Sequence, residues 1–302
     1  MIQNIYLLAD LLERNYGMKN PQICQLSSGA TQTTMLVIDG SNKLVLKAFH
    51  DSHAATLVAE FQDYLRNAGL GVPIIVKTTN EKLFLVNNTI SIVLMEYVDG
   101  HGIGWADETE KLDHMLVSSI TSMLAKMHLA ALAFKNDDRF LELIKGLRPM
   151  PLEVSVEGVN IAELRTALIH GDLTRENIIV SSSYDSVTSF IDFGDTMYSY
   201  LAYDLAVLLT QVFVTKTWGM DIQGIKRFME AYSKQNPLSP GEQKSLIAFM
   251  LLKNNSLIDE VNQSDDIVRG ADNAQSIKRS AQAKITLIQE NEVHLKNIFE
   301  NL

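Results

Sequence analysis

Residues 167–195 constrain this chain more than any other stretch. An apolar run, Ala167-Leu168-Ile169, breaks into the polar His170-Gly171-Asp172-Leu173-Thr174-Arg175-Glu176-Asn177 and resumes as Ile178-Ile179-Val180. After a polar turn over residues 181–186, a second run over 187–191 ends in Asp192-Phe193-Gly194-Asp195. Short apolar and β-branched runs bounded by turn residues read as strands. The pattern predicts a short hairpin whose flanking loops carry two carboxylates and an amide.

The rest of the chain divides around that hairpin. At 302 residues it exceeds the usual single core, so two lobes are expected. Only 16 Gly and 6 Pro occur and 46% of residues are hydrophobic, which favours a helix-rich fold over a disordered or low-complexity one. Ile5, Leu8, Leu11 and Leu12 have helical spacing, with Gly17 as the stop. Two apolar runs, 35–38 and 43–47, flank Asp39-Gly40-Ser41-Asn42 and predict a hairpin. A helix over 60–68 and strands over 83–86 and 90–95 complete a five-strand meander with one helix on it. Asp99-Gly100-His101-Gly102-Ile103-Gly104 reads as a linker, because its glycine spacing matches no phosphate fingerprint.

Beyond it, Leu112, Leu116, Ile120, Met123, Met127 and Ala131 place one apolar face on a long helix, with His128 beside it as a packed core histidine. Residues 205–214 and 246–252 predict further buried helices. Ala281, Ile285, Ile288, Leu295, Phe299 and Leu302 form a helix seam that packs onto the same lobe.

Charge and cysteine content narrow the function classes. The single Cys24 excludes an intramolecular disulfide and a cysteine-based zinc site. No basic and apolar leader is present, and no stretch of about 18 uncharged apolar residues occurs. The expectation is a reduced, cytoplasmic protein without a membrane partner. A net charge of -10 argues against nucleic acid, whose phosphates need clustered Lys and Arg. That charge is uneven. Residues 1–98 carry 7 basic and 8 acidic side chains, the remainder 19 and 28. An acidic second lobe suits a cationic ligand through long-range steering.

Two carboxylates and an amide oxygen on loops beside a hairpin suit phosphoryl transfer. One Asp accepts the proton of an attacking hydroxyl, while an Asn oxygen and the other Asp hold Mg²⁺ on nucleotide phosphates. His170, Asp172, Leu173 and Asn177 match the protein-kinase pattern H-R-D-L-x-x-x-N in register, and Asp192-Phe193-Gly194 supplies D-F-G. Gly171 stands where protein kinases carry Arg, and Tyr203-Asp204-Leu205-Ala206 follows Gly194 too closely for a long activation segment. The acceptor is therefore expected to be a small molecule.

These motifs together resemble the aminoglycoside phosphotransferase and choline kinase superfamily, nearest its hydroxylysine kinase-like and type II homoserine kinase branches. The resemblance implies an α+β, bilobal protein kinase-like fold, with a small mixed β-sheet N-lobe and a larger, mainly helical C-lobe. Residues 1–98 become the nucleotide-binding lobe, 99–104 the linker and 105–302 the catalytic and substrate-binding lobe. It implies Asp172 as catalytic base and Asn177 and Asp192 as Mg²⁺ ligands. Lys47 becomes the lysine on the α- and β-phosphates, with Glu60 as its orienting ion pair. Ser28, Gly29, Ala30 and Thr31 occupy the nucleotide loop, with one glycine where protein kinases have three. The Glu96 carbonyl and Val98 amide would bind adenine.

His170 and Asp204 are expected to brace the catalytic loop. Asp195 either positions substrate or metal or caps the helix leading to Tyr203, and Tyr198 is a further substrate candidate. The implied reaction is transfer from ATP or GTP to a hydroxyl of an amine-bearing metabolite such as hydroxylysine or homoserine, by a monomer or homodimer. An aminoglycoside-modifying phosphotransferase and a non-catalytic nucleotide-binding protein are the alternatives.

Overall fold

Alternation of inward and outward residues along 33–49 builds the first sheet. In this computed structural model β2 (Gln32–Asp39) and β3 (Asn42–Phe49) pair antiparallel around the expected two-residue turn, with Asp39 opposite Asn42 and Gly40 at φ +62°. The structure describes residues 5–28, 32–88, 90–103, 111–150, 155–215, 219–263 and 271–302. It comprises two units, Met1–Asp99 with Ile191–Thr196, and Gly100–Phe190 with Met197–Leu302.

In the first unit, β1 (Gln22–Ser28), β2, β3, β4 (Leu85–Asn87) and β5 (Ile90–Glu96) form one antiparallel sheet in the order β1-β2-β3-β5-β4. The expected simple meander is therefore broken. After α2 (Ser52–Asn67) the chain returns so that β5, not β4, pairs with β3. That swap follows from hydrophobicity: Ile92, Val93, Leu94 and Met95 are all buried, which suits an inner strand, whereas Val86 on β4 is exposed. Met35, Val37, Leu44, Leu46, Ala48, Ile92 and Leu94 share a core with Leu8 and Leu12 of α1 (Ile5–Tyr16). Lys47 alternates away from Leu46 and Ala48 on the pleated strand, so its stem leaves that core. The helix expected over 60–68 begins two turns earlier, where Asp51 caps it by accepting the His53 amide at 2.9 Å.

The second unit is mainly helical. α3 (His114–Phe134), followed by the short α4 (Asp138–Leu143), is capped by Asp113, whose side chain accepts the Leu116 amide at 2.9 Å. It has the length and hydropathy to cross a membrane, but half of that window is buried within the protein. α5 (Leu201–Phe213) buries twelve of its thirteen residues, so it is a central helix packed on all sides. α6 (Ile222–Gln235) and α7 (Pro240–Gln263) pack on it, and α8 (Ala271–Glu290) and α9 (Glu292–Phe299) pack on α7. Ala281, Ile285, Ile288, Leu295 and Phe299 are buried as the seam predicts, with a break at Asn291.

Two small sheets carry the motif. β7 (Thr166–Ile169) pairs antiparallel with β10 (Met197–Tyr200). β8 (Ile178–Val180) pairs with β9 (Val187–Phe190) as the predicted hairpin. The segment read as a linker supplies β6 (His101–Gly102), a third strand antiparallel to β8.

Candidate active site

The loop 170–177 leaves β7 through Gly171, whose φ is +81°. A side chain there would cost roughly 1–2 kcal/mol. Glycine at this position is thus a backbone requirement as well as the loss of an arginine. The turn aims two amides at Asp204 in the first turn of α5: Gly171 N–H donates to Oδ1 at 2.9 Å and His170 N–H to Oδ2 at 3.3 Å. Asp204 is fully buried. Burial opposes its charge, yet the hydrogen bond and electrostatic attraction of His128, the attraction of His170 and the Gly171 amide together prevail and hold its carboxyl below the ordinary value. His170 Nδ1 accepts the Asp172 amide at 3.3 Å, which is the bracing role expected of it.

At the loop's other end, the buried Arg175 donates Nε and Nη2 to the Val212 carbonyl, at 3.1 and 2.8 Å, near the end of α5. One helix therefore fastens both ends of the loop. β6 adds a third tie: the Ile103 amide donates to the Arg175 carbonyl at 2.9 Å. A Cβ on Gly102 would sit 2.9 Å from the Glu176 carbonyl oxygen, so only glycine permits that approach.

Between these anchors stands Asp172. Its side chain is 29% exposed, and Oδ1 lies 3.2 Å from Nζ of Lys253 on α7. Lys253 also reaches the Gly171 carbonyl at 3.5 Å. The Asn177 Nδ2 donates to the Asp172 carbonyl at 2.8 Å, which leaves the amide oxygen as the end able to meet a cation.

In the first unit, Asp192 adopts φ +65°, a left-handed conformation that Asp tolerates because its side chain bonds its own turn. Oδ1 accepts the Gly194 amide at 3.3 Å and lies 2.6 Å from Lys47 Nζ. The lysine side chain is 3% exposed and the carboxylate 44%. Thr34 Oγ1 is a second acceptor for Lys47 at 3.4 Å. Phe193 is buried beneath, edge-on to Phe61 of α2 with ring centroids 6.2 Å apart.

Of the residues singled out by sequence, Lys47 meets Asp192 and Asp172 meets Asn177. Glu60 is half-buried on α2, Glu96 ends β5 and Val98 follows two residues later. Ser28 closes β1 opposite Thr33, while Gly29, Ala30 and Thr31 lie outside the described residues. Asp195 is exposed at the end of a 3-10 turn, and α5 starts after β10 with Tyr200 at its cap position, so Asp195 does not cap it. Tyr198 spends its hydroxyl on Thr166 at 2.9 Å and packs edge-on to Phe140.

Lys253 and Arg175 were not anticipated. Arg175 falls at a variable position inside the motif, and Lys253 lies 81 residues from Asp172 on a helix without local signal. Among the described residues no cluster of three or more His, Cys, Asp or Glu could hold a metal by itself. Mg²⁺ binds through one or two protein oxygens plus phosphates. An Asn oxygen and an Asp carboxylate are hard donors that fit it.

Known proteins are similar to this chain in sequence and in fold. Residues 133–239 match the model of the phosphotransferase enzyme family. The homoserine kinase of Methylobacillus glycogenes is 24% identical over 237 residues, covering 72% of each chain. That of Rhodopseudomonas palustris is 26% identical over 150 residues, 43% of this chain and 45% of its own. An amicoumacin kinase solved with AMP-PNP and Ca²⁺ superposes with a TM-score of 0.67 at 15% identity, covering 95% of this chain and 94% of that one. A microcompartment-associated aminopropanol kinase gives 0.65 at 16%, covering 97% and 99%. A spectinomycin phosphotransferase bound to ADP and spectinomycin gives 0.60 at 15%, covering 98% of each chain.

Proposed function

We propose that this chain, which belongs to the aminoglycoside phosphotransferase and choline kinase superfamily and is a phosphotransferase with an alcohol group as acceptor, transfers the γ-phosphoryl group of ATP or GTP to a hydroxyl of an amine-bearing metabolite such as homoserine or hydroxylysine. The observation that carries the reading is Asp172: a part-exposed carboxylate on a loop fixed at both ends, with Asn177 five residues on. Lys253 occupies Oδ1, and Oδ2 is the oxygen left to face an acceptor hydroxyl.

In this reading Asp172 takes the acceptor's proton as its oxygen bonds to phosphorus, and the nucleoside diphosphate leaves in line. Lys47 contacts the α- and β-phosphates, oriented by Glu60 and by Asp192. Asn177 and Asp192 would hold Mg²⁺, which when bound neutralises charge on the phosphates. The Glu96 carbonyl and Val98 amide receive adenine, and the loop 28–31 covers the phosphates. Asp195 approaches the acceptor. Residues 1–98 serve the nucleotide and 105–302 the acceptor, in a cytoplasmic monomer or homodimer. The relatives named as homoserine kinases support an amino-acid hydroxyl as acceptor.

A panel of L-homoserine, hydroxylysine, 1-amino-2-propanol, choline and aminoglycosides, each with ATP or GTP, tests this by acceptor-dependent release of ADP or GDP. Release driven by a small amino alcohol or hydroxyamino acid is expected. Stimulation by aminoglycosides alone, or by nothing in the panel, would overturn the acceptor assignment.

A further inference from the structure

Asp204 is the end of a longer chain of buried polar groups. Its Oδ2 lies 3.0 Å from His128 Nε2, and His128 Nδ1 lies 2.7 Å from the Tyr232 hydroxyl. Asn236 Nδ2 donates to that hydroxyl at 2.9 Å, and Asn236 Oδ1 accepts from Arg165 Nη1 at 2.7 Å. Arg165 in turn forks onto Glu242, Nε to Oε1 at 2.7 Å and Nη2 to Oε2 at 3.0 Å. His128, Asp204, Asn236, Glu242 and Tyr232 are all buried, and only Arg165 reaches solvent. All six residues belong to the second unit, on four helices and the approach to β7.

The direction of every bond in this chain is fixed. A guanidinium only donates, so the Asn236 atom facing Arg165 is its oxygen and the nitrogen faces Tyr232. The Tyr232 oxygen therefore accepts from Asn236, and its own hydrogen has one place left to go, the His128 Nδ1. A proton on Nδ1 as well would leave the phenol hydrogen buried without an acceptor. Burial also pushes the Tyr232 phenol far above its ordinary value, so it keeps that hydrogen. With the phenol donating to Nδ1, the His128 proton that meets Asp204 is the one on Nε2.

We propose that Arg165, Asn236, Tyr232 and His128 form a one-way hydrogen-bond relay that positions the loop 170–172 through Asp204, with the Arg165–Glu242 ion pair setting its direction. None of these four residues touches the reacting atoms; each is a positioning residue. The inference rests on the reading of 170–177 as the catalytic loop.

The test combines histidine-selective ¹⁵N NMR with amide exchange, neither of which needs an acceptor. Near neutral pH, His128 should show a pyridine-type Nδ1 and a pyrrole-type Nε2. An imidazolium, or a proton on Nδ1, overturns the relay in the unmodified chain, whatever any variant does. Tyr232→Phe should release the fixed tautomer and speed exchange of the Gly171 amide roughly tenfold, the equivalent of one hydrogen bond. It should lower kcat by a similar factor with the nucleotide KM unchanged.

His128→Gln, whose amide can accept from Tyr232 and donate to Asp204, should retain the slow exchange and kcat that His128→Leu loses. Equal losses in Gln and Leu, or an unaltered Gly171 amide in Tyr232→Phe, would contradict the relay. If no acceptor is phosphorylated, the functional reading fails by itself, and the NMR and exchange results still decide this one.

Discussion

Two carboxylates, Asp192 in the first unit and Asp172 in the second, each face a lysine, and they are held in opposite ways. Asp192 meets a Lys47 that is almost wholly buried, at 2.6 Å, and its backbone is fixed by its own left-handed turn and the Gly194 amide. Asp172 meets Lys253 at 3.2 Å, and its position comes from remote elements: α5 at both ends of the loop and α7 through the lysine. The first pair lies within the same small unit as β3, so it is local to the strand that supplies the lysine. The second depends on two helices, α5 and α7, packing correctly. On the proposed roles, a carboxylate that is to hold a cation keeps a fixed charge through its own turn, and one that is to take a proton is placed by the helical unit around it.

The Lys47–Asp192 pair should respond most strongly to substitution. Asp192→Asn should reduce turnover by roughly a thousandfold and raise the Mg²⁺ concentration needed for half-maximal rate, because the amide cannot replace the carboxylate charge. Steady-state rates across a magnesium titration read both effects. Lys47→Met should cost about a hundredfold in kcat/KM for the nucleotide. It also strips Asp192 of a partner at no cost in stability comparable to a fully buried pair, since the carboxylate side remains in contact with water.

The remote pair should respond more gently. Lys253→Met is expected to lower kcat by roughly tenfold and leave nucleotide affinity unaltered, with Lys253→Arg recovering part of the loss. The smallest effect belongs to the loop's backbone. Gly171→Ala should destabilise the chain by about 1–2 kcal/mol, read as a lower Tm, because alanine resists φ +81°. A parallel acid titration sharpens the role of Asp204. Its carboxyl is held below the ordinary 3.8, so its contribution to stability is present above that value and lost as pH falls through the folded one. Asp204→Asn should therefore flatten the acid limb of the stability curve measured by denaturant unfolding.

How much of this was legible in the sequence follows the same division. The β2–β3 hairpin, the β8–β9 hairpin and Lys47 on its strand rest on period-two patterning and turn chemistry within about ten residues, and all three stand where the sequence puts them. The insertion of β5 between β3 and β4 was not legible, because strand order depends on the return path after α2. His128 reads as a core histidine and is one, but nothing local says that it joins Asp204 to Tyr232, 76 and 104 residues away. Lys253 shows the same limit. On α7 it is one cation among solvated neighbours until the fold brings Asp172 to it. Asp195 carried two readings, and β10 removed one of them by intervening before α5.

The central claim is that Asp172 is the base for transfer to a small hydroxylated acceptor. Single-turnover transfer from nucleotide to the best acceptor of the panel, with the nucleotide Kd measured alongside, tests it directly in Asp172→Asn. A fall of roughly a hundredfold or more in the transfer step with an unchanged Kd is the predicted result. Transfer at the rate of the unsubstituted chain would contradict it.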